Sequence, residues 1–239
     1  MILAILQARM SSSRLPGKVL KPLCGRPMVL RQIERLSRCR RLDRLVVATS
    51  TETSDDPLAA AMTAEGVAVH RGPLDNVLAR FVGALDAHPA DHVVRLTADC
   101  PLTDPVGVDD TIALHLESGA DYTSNTPDTF AFPKGLDVEV VTAPALRRAA
   151  AEATTAEERE HVTWGLYNGD HGYKTAWLKS AHADDGDIRW TVDTPDDYAF
   201  AVAVYEALYP GNPAFTSADI RALLAARPDL AQFGGHRRL

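Results

Sequence analysis

Cysteine is scarce in this chain of 239 residues, where only Cys24, Cys39 and Cys100 occur. An odd count without metal-ligand spacing excludes a disulfide framework and a zinc site, and leaves reduced thiols as the expectation. Long hydrophobic runs are also missing. No segment approaches the roughly 18 apolar residues of a membrane-spanning helix, and Ile2–Leu6 is too short for a signal-peptide core, so a soluble cytoplasmic protein is expected. Nor is there an excess of positive charge: the formal net charge is −7, which argues against a general nucleic-acid binder. A Walker A run, a GxGxxG loop, a Gly-x-Ser-x-Gly elbow and a workable Cys–His pair are all absent. P-loop ATPase chemistry and hydrolysis through a side-chain nucleophile are therefore disfavoured.

The charge that is present is unevenly spread. Residues 1–51 hold 11 of the 25 Lys and Arg residues and only 2 of the 32 Asp and Glu residues. A basic start on an acidic chain suits a compact anion such as a polyphosphate. The start itself is the apolar stretch Ile2–Leu6 followed by QARMSSSRLPGKVL over Gln7–Leu20. A strand that empties into a loop of small hydroxylated residues offers backbone N–H groups and hydroxyls to phosphate oxygens. Arg9 and Arg14 add bidentate forks and Lys18 a movable charge. Pro16 and Gly17 turn the loop so that Lys18 points back at the ligand. Arg31, Arg35 and Arg38 read instead as the solvated face of a helix whose apolar side is Val29, Ile33 and Leu36.

Short apolar runs at Ile2–Leu6, Leu45–Ala48, Val67–Val69 and His92–Leu96 alternate with helical patterns at Met28–Cys39, Pro57–Glu65, Asp75–Ala87 and Pro105–Ser118. Such alternation predicts an α/β fold with parallel strands and right-handed crossovers, and Gly66 stands where a helix C-terminal glycine belongs. The pattern then loosens. A long loop at Thr126–Gly135, a strand at Leu136–Thr142, helices at Ala143–Ala151 and Ala156–Asn168, and strands at Lys174–Leu178 and Ile188–Val192 are expected. Helices at Pro195–Leu208 and Ser217–Ala226 follow, with a fraying Gly-Gly-His-Arg-Arg end. The expectation is one domain over residues 1–239, with an excursion at about 126–180 for acceptor recognition and subunit contact.

Two further constellations lie at strand ends, where open α/β sheets bind ligands. In RLTADCPLTDP, Asp99 can hold Mg²⁺ against phosphate oxygens, whereas Asp104 before Pro105 reads as a helix N-cap. In RWTVDTPDDY, Thr194 reads as an N-cap with proline at the first helical position, and Asp196 and Asp197 suit the helix dipole. Asp193 is left over as a second carboxylate for the same metal. Among the histidines His161, in EREHVT, attracts notice, although a helix histidine is more often structural.

QARMSSSRLPGKVLKPLCGRPM resembles the opening signature of the CMP-sugar synthetases. The ordered set RLTADCPLTDP, FPKGLDVEVV, EREHVT and RWTVDTPDDY is similar to the branch typified by spore coat polysaccharide biosynthesis protein F, over roughly residues 1–208. The resemblance implies a Rossmann-like, GT-A-type nucleotidyltransferase fold, with a mixed, mainly parallel sheet and helices on both faces. It implies transfer of CMP from CTP to an acidic sugar with Mg²⁺ and pyrophosphate release, in surface polysaccharide or specialised glycan synthesis, by a homodimer. Arg9, Lys18 and Asp99 would be catalytic. Gln7, Ala8, Ser11, Ser12, Arg14 and Thr97 would join Arg9 and Lys18 around the nucleotide. Asp99 and Asp193 would hold the metal, and Lys134, Asp137, Glu139 and His161 would meet the acceptor. Ala98-Asp99-Cys100-Pro101 departs from the Gly-Asp-Glu-Pro setting of CMP-Kdo synthetase, so the acceptor does not carry over from that enzyme. The competing readings are a glycosyltransferase consuming a nucleotide sugar on a similar fold, and a noncatalytic nucleotide-binding relative.

Overall fold

The computed structural model describes residues 1–169 and 171–239; Asp170, within the expected excursion, lies outside the described residues. The first half follows the predicted alternation. Strand β1 (Ile2–Gln7) leads through a loop to helix α1 (Met28–Leu36), then β2 (Arg44–Ser50), α2 (Asp56–Ala64), β3 (Ala68–Gly72), α3 (Val77–Ala87), β4 (His92–Thr97) and α4 (Pro105–Ser118). The chain continues through β5 (Tyr122–Ser124), β6 (Glu139–Thr142), α5 (Ala143–Glu152), α6 (Ala156–Glu160), α7 (Trp164–Tyr167) and β7 (Thr175–Trp177). It ends with α8 (Pro195–Leu208), α9 (Ser217–Ala226) and a hairpin of β8 (Gln232–Phe233) and β9 (His236–Arg237).

Among the described residues seven strands form one sheet in the order β3-β2-β1-β4-β6-β5-β7. Strands β3, β2, β1 and β4 are parallel, β6 runs against both of its neighbours, and β7 is parallel to β5. The chain moves outward from β1 to β3 and then returns to the other side of β1 for β4. That reversal opens a crevice beyond the C-terminal ends of β1 and β4, the kind of place where open α/β sheets bind ligands.

Period-2 alternation divides β1 between two cores. Ile2, Ala4 and Leu6 pack with α1, α2 and α4 on one face, and Leu3 and Ile5 pack with α3 and α5 on the other. A third core gathers Leu15, Leu102, Trp190, Val192 and the apolar sides of α8 and α9. Among the described residues no helix is long and apolar enough to cross a membrane.

Several expectations are corrected. Helix α1 stops at Leu36 rather than Cys39. Its arginines are not a solvated face, because the third core covers it: Arg31 and Arg35 are buried and lie over the rings of Tyr209 and Phe215. Tyr122–Ser124 is an unanticipated strand, and the strand expected from Leu136 begins at Glu139. The single helix expected over Ala156–Asn168 is broken into α6 and α7 by Val162, which has a φ of 56°. Among the described residues Ile188–Val192 joins no sheet ladder; it has one bridge, Lys134 to Arg189, and runs between that loop and the C-terminal hairpin. The expected fraying end is instead the docked β8–β9 hairpin, with Arg238 fully buried.

Candidate active site

The loop after β1 is tied down at both ends. Gly17 N–H donates to the Met10 carbonyl at 3.0 Å, and Gly17 takes a φ of 69° to start the helical turn that presents Lys18. Asp55, a residue that sequence reasoning missed, accepts the Met10 N–H at 2.7 Å and the Ser50 N–H at 3.1 Å. Burial opposes its ionisation, but these N–H groups and the Ser50 hydroxyl hold its carboxyl below the usual range. A buried carboxylate so engaged makes the loop a fixed backbone rather than a loose basic arm.

Lys18 is only 8% exposed, and its ammonium does not project freely into the cleft. It donates to the Val192 carbonyl at 2.7 Å, to Asp193 Oδ1 at 3.0 Å and to Asp99 Oδ2 at 3.4 Å. The opening loop thus meets the end of β4 and the turn before α8 at one point. Arg14 reaches Asp193 Oδ2 at 3.2 Å and Arg189 reaches the same oxygen at 2.8 Å. Burial pushes the Asp193 carboxyl up, while Lys18 and Arg189 more than offset that and hold it low.

Behind Asp193 stands Asp197, fully buried. Thr194 caps α8 and Asp197 completes the capping box, so the predicted N-cap is present. Asp197 carries more than a helix-dipole charge, however. It accepts the backbone N–H of Asp193 at 3.1 Å, two bonds from Arg189 at 3.0 and 2.9 Å, and one from Arg238 at 2.9 Å. Arg189 and Arg238 thereby hold its carboxyl well below the ordinary range against the opposing effect of burial. No spacing rule links Arg189, Asp197 and Arg238, and the distant tail carried no signal of its own. Asp104 caps α4 through Val106 N–H at 3.0 Å, as expected, and also holds Ser217 N–H at 2.8 Å.

A cleft of about 210 Å³ opens at this point. Gln7, Ala8, Arg9, Ser11, Ser12, Arg14, Lys18, Thr97, Asp99 and Asp193 all line it, so the residues expected around nucleotide and metal come together. It branches in two. Gln7 and Arg9 are shared with a cavity of about 200 Å³ that includes Asp75, Arg80 and Glu160. Thr97 is shared with another of about 260 Å³ lined by Arg95, Thr126, Asp137 and Glu139. Buried polar atoms at these branches lack partners among the described residues, namely Gln7 Oε1, Arg80 Nε and Arg95 Nε.

The expected acceptor residues divide. Asp137 and Glu139 line the last cavity together, although Asp137 lies in the segment before β6 and not in the strand itself. Glu139 is also committed to the protein: it pairs with Arg95 and accepts the Tyr122 and Thr163 hydroxyls, each at 2.8 Å. Burial pushes the Asp137 carboxyl up, with neighbouring Glu139 and Asp99 adding to it. Lys134 is exposed outside this cavity, and its backbone clamps Trp190 N–H at 2.7 Å and Thr191 N–H at 2.9 Å. His161 is exposed beside Trp164, their rings 5.9 Å apart, and is likewise outside the cavity lining.

The donor set suits a hard divalent cation. Two carboxylates and the Val192 carbonyl converge on the place held by the Lys18 ammonium. Among the described residues no group of three or more His, Cys, Asp and Glu side chains forms a metal cage. An ion here would complete its shell with water and phosphate oxygens, the habit of Mg²⁺ at nucleotides.

A protein-family model described as cytidylyltransferase matches residues 3–208. The chain is 34% identical over 236 residues to the spore coat polysaccharide biosynthesis protein SpsF of Bacillus subtilis strain 168, covering 96% of each chain. Over 121 residues it is 35% identical to the 3-deoxy-manno-octulosonate cytidylyltransferase of Geobacter sulfurreducens, covering 50% of this chain and 47% of that one. The solved structure of a cytidylyltransferase from Leptospira borgpetersenii superposes with a TM-score of 0.89 at 27% identity, covering 96% of this chain and 95% of that one.

Proposed function

The chain belongs to the cytidylyltransferase family and is an enzyme of that kind, and on this premise we propose that it moves CMP from CTP to an acidic sugar or similar small acceptor, releasing pyrophosphate. The observation that carries this reading is the convergence in one cleft of Arg9, Arg14 and Lys18 with Asp99 and Asp193. Clustered cations fit a triphosphate, and two carboxylates beside them fit the metal that accompanies it.

An acceptor hydroxyl attacks the α-phosphorus in line. The new phosphorus–oxygen bond forms as the bond to pyrophosphate breaks, and the hydroxyl proton leaves to solvent. The chain contributes position and charge rather than a covalent intermediate. Arg9, Arg14 and Lys18 neutralise the triphosphate, while Gln7, Ala8, Ser11, Ser12 and Thr97 shape its bed. Asp99 and Asp193 would hold Mg²⁺, which when bound stabilises charge on the phosphate oxygens. Nucleoside and acceptor occupy the two branches, the acceptor in the one lined by Asp137 and Glu139, which adjoins the cleft at Thr97.

A homodimer through the 126–180 region and a cytoplasmic location belong to the same proposal. The exposed Trp164, Tyr167 and Trp177 near the β7 edge support the first; sedimentation over a concentration series tests it. The reaction is tested by measuring pyrophosphate release with each of four nucleoside triphosphates, with and without Mg²⁺, across a panel of acidic sugars. Acceptor-dependent release with CTP and Mg²⁺ is expected. Equal release with all four nucleotides, or none with any pair while CTP binds tightly, overturns the reading.

A further inference from the structure

We propose that Arg238, next to the last residue of the chain, is a positioning residue for the cleft: acting through Asp197 and Arg189, it fixes the carboxylate of Asp193. The inference rests on the reading of Asp193 as a holder of the metal-bound triphosphate.

Arg238 and Asp197 form an ion pair at 2.9 Å in which both side chains are fully buried. The guanidinium also donates to the Arg189 carbonyl at 2.6 Å and to the Phe233 carbonyl at 3.3 Å, and it lies 4.6 Å from the centre of the Phe200 ring. The tail grips Arg189 from both sides of its peptide, since Arg189 N–H donates to the Arg237 carbonyl at 3.0 Å. Arg189 in turn divides one terminal nitrogen between Asp197 Oδ2 at 2.9 Å and Asp193 Oδ2 at 2.8 Å.

The position of Asp193 therefore depends on how Asp197 is shared. With Arg238 in place, Asp197 Oδ1 has a second cation and Arg189 can span both carboxylates. Without it, Arg189 is the sole cation left to Asp197 among the described residues, and its guanidinium is drawn away from the cleft. Stability alone does not call for such a network, because well-packed apolar groups replace buried ion pairs without loss in many proteins. A chain of charges that starts in a buried tail and ends on a cleft carboxylate is suited to transmitting geometry.

The test compares CTP binding by calorimetry with Mg²⁺ and with EDTA, in the full-length protein. Arg238→Met keeps an unbranched apolar side chain in the buried position and removes the charge. It is expected to weaken binding of Mg·CTP at least fivefold while changing metal-free CTP binding less than twofold, and Arg238→Lys is expected to restore Mg·CTP binding to within twofold of wild type. Added to Asp193→Asn, Arg238→Met is expected to cost less than a further twofold. Equal weakening with and without Mg²⁺, no weakening at all, or full additivity with Asp193→Asn overturns the inference. If Arg238→Met does not fold, Arg189→Gln, which leaves the Arg238–Asp197 pair intact, is measured in the same way, and an unchanged Mg²⁺ dependence overturns the inference. An Asp193→Asn protein that keeps the whole Mg²⁺ effect overturns the reading of the cleft itself, a result separate from those above.

Discussion

Lys18 Nζ donates to Asp193 Oδ1 across 3.0 Å, which joins a lysine of the opening loop to a carboxylate from the far end of the chain. The same ammonium reaches Asp99 at 3.4 Å, so it stands between the two carboxylates read as metal holders and would compete with a cation for them. In the absence of nucleotide, Lys18→Met is expected to bind Mn²⁺ at least fivefold more tightly than wild type, measured by electron paramagnetic resonance. Pyrophosphate release by the same variant is expected to fall by ~10² to 10³, the usual loss when one preorganised charge is removed. Unchanged Mn²⁺ affinity would show that Lys18 does not guard the carboxylates.

Asp99 and Asp104 lie close in sequence and are expected to separate in effect. Asp99→Ala is expected to depress pyrophosphate release by a factor on the order of 10² or more. Asp104→Ala leaves Val106 N–H and Ser217 N–H without their acceptor. Its cost is expected in stability, at about 1 to 2 kcal/mol in urea denaturation, with turnover per folded molecule unchanged. Similar activity losses in both variants would refute the distinction.

Stability is expected to fall in two separate acid windows. His115 is buried, bonded to His92 and Thr123 at 3.0 Å each, and burial lowers its pKa to about 4 from 6.5. Below pH 6.5 the unfolded chain takes up this proton and the folded one does not. Stability therefore drops between pH 6.5 and 4, by up to about 3 kcal/mol. Asp197, held low by Arg189 and Arg238 against burial, contributes stability above its unfolded pKa, so its share is lost only as the pH falls below about 4. Urea melts from pH 7 to 3 check both windows; His115→Gln is expected to shrink the loss in the upper one, leaving the share of His70 and His92, whose pKa values burial also lowers, and to leave the lower one unchanged.

Gly135 has a φ of 109°, and a Cβ there would stand 2.4 Å from Thr191 N. The obstacle is backbone rather than a movable side chain, and Gly135 sits where the 133–135 turn lies against Trp190 and Thr191, just before Asp193. Gly135→Ala is expected to lower stability by about 2 kcal/mol or more and to reduce turnover as well. A variant with an unchanged denaturation midpoint would show that the contact yields.

The first half of the fold was legible because each element there carries a local signal. The apolar runs of β1, β2 and β4, the glycine after α2 and the aspartate before Pro105 all act within one turn or one strand. The second half offered weaker signals. Tyr122–Ser124 is a strand of three residues, too short for periodicity to announce. Ile188–Val192 has the composition of a strand, yet its backbone bonds go to Asp99, Lys134 and Arg237. The Gly-Gly-His-Arg-Arg end looks like a loose tail until Asp197 supplies the buried partner that Arg238 requires.

The amino-acid sequence by itself determined the parallel half of the sheet, the basic loop at its first strand and the acidic residues at two later turns, because hydrophobic period, capping and turn chemistry operate over a few neighbours. Only the tertiary structure decided which charge meets which. Lys18 settles between Asp99 and Asp193, Glu139 is taken up by Arg95, and Arg238 closes on Asp197. Those partnerships follow from desolvation: once packing removes water from a charge, it must pair with whatever opposite charge the fold brings within about 3 Å. Distance along the chain does not enter into it.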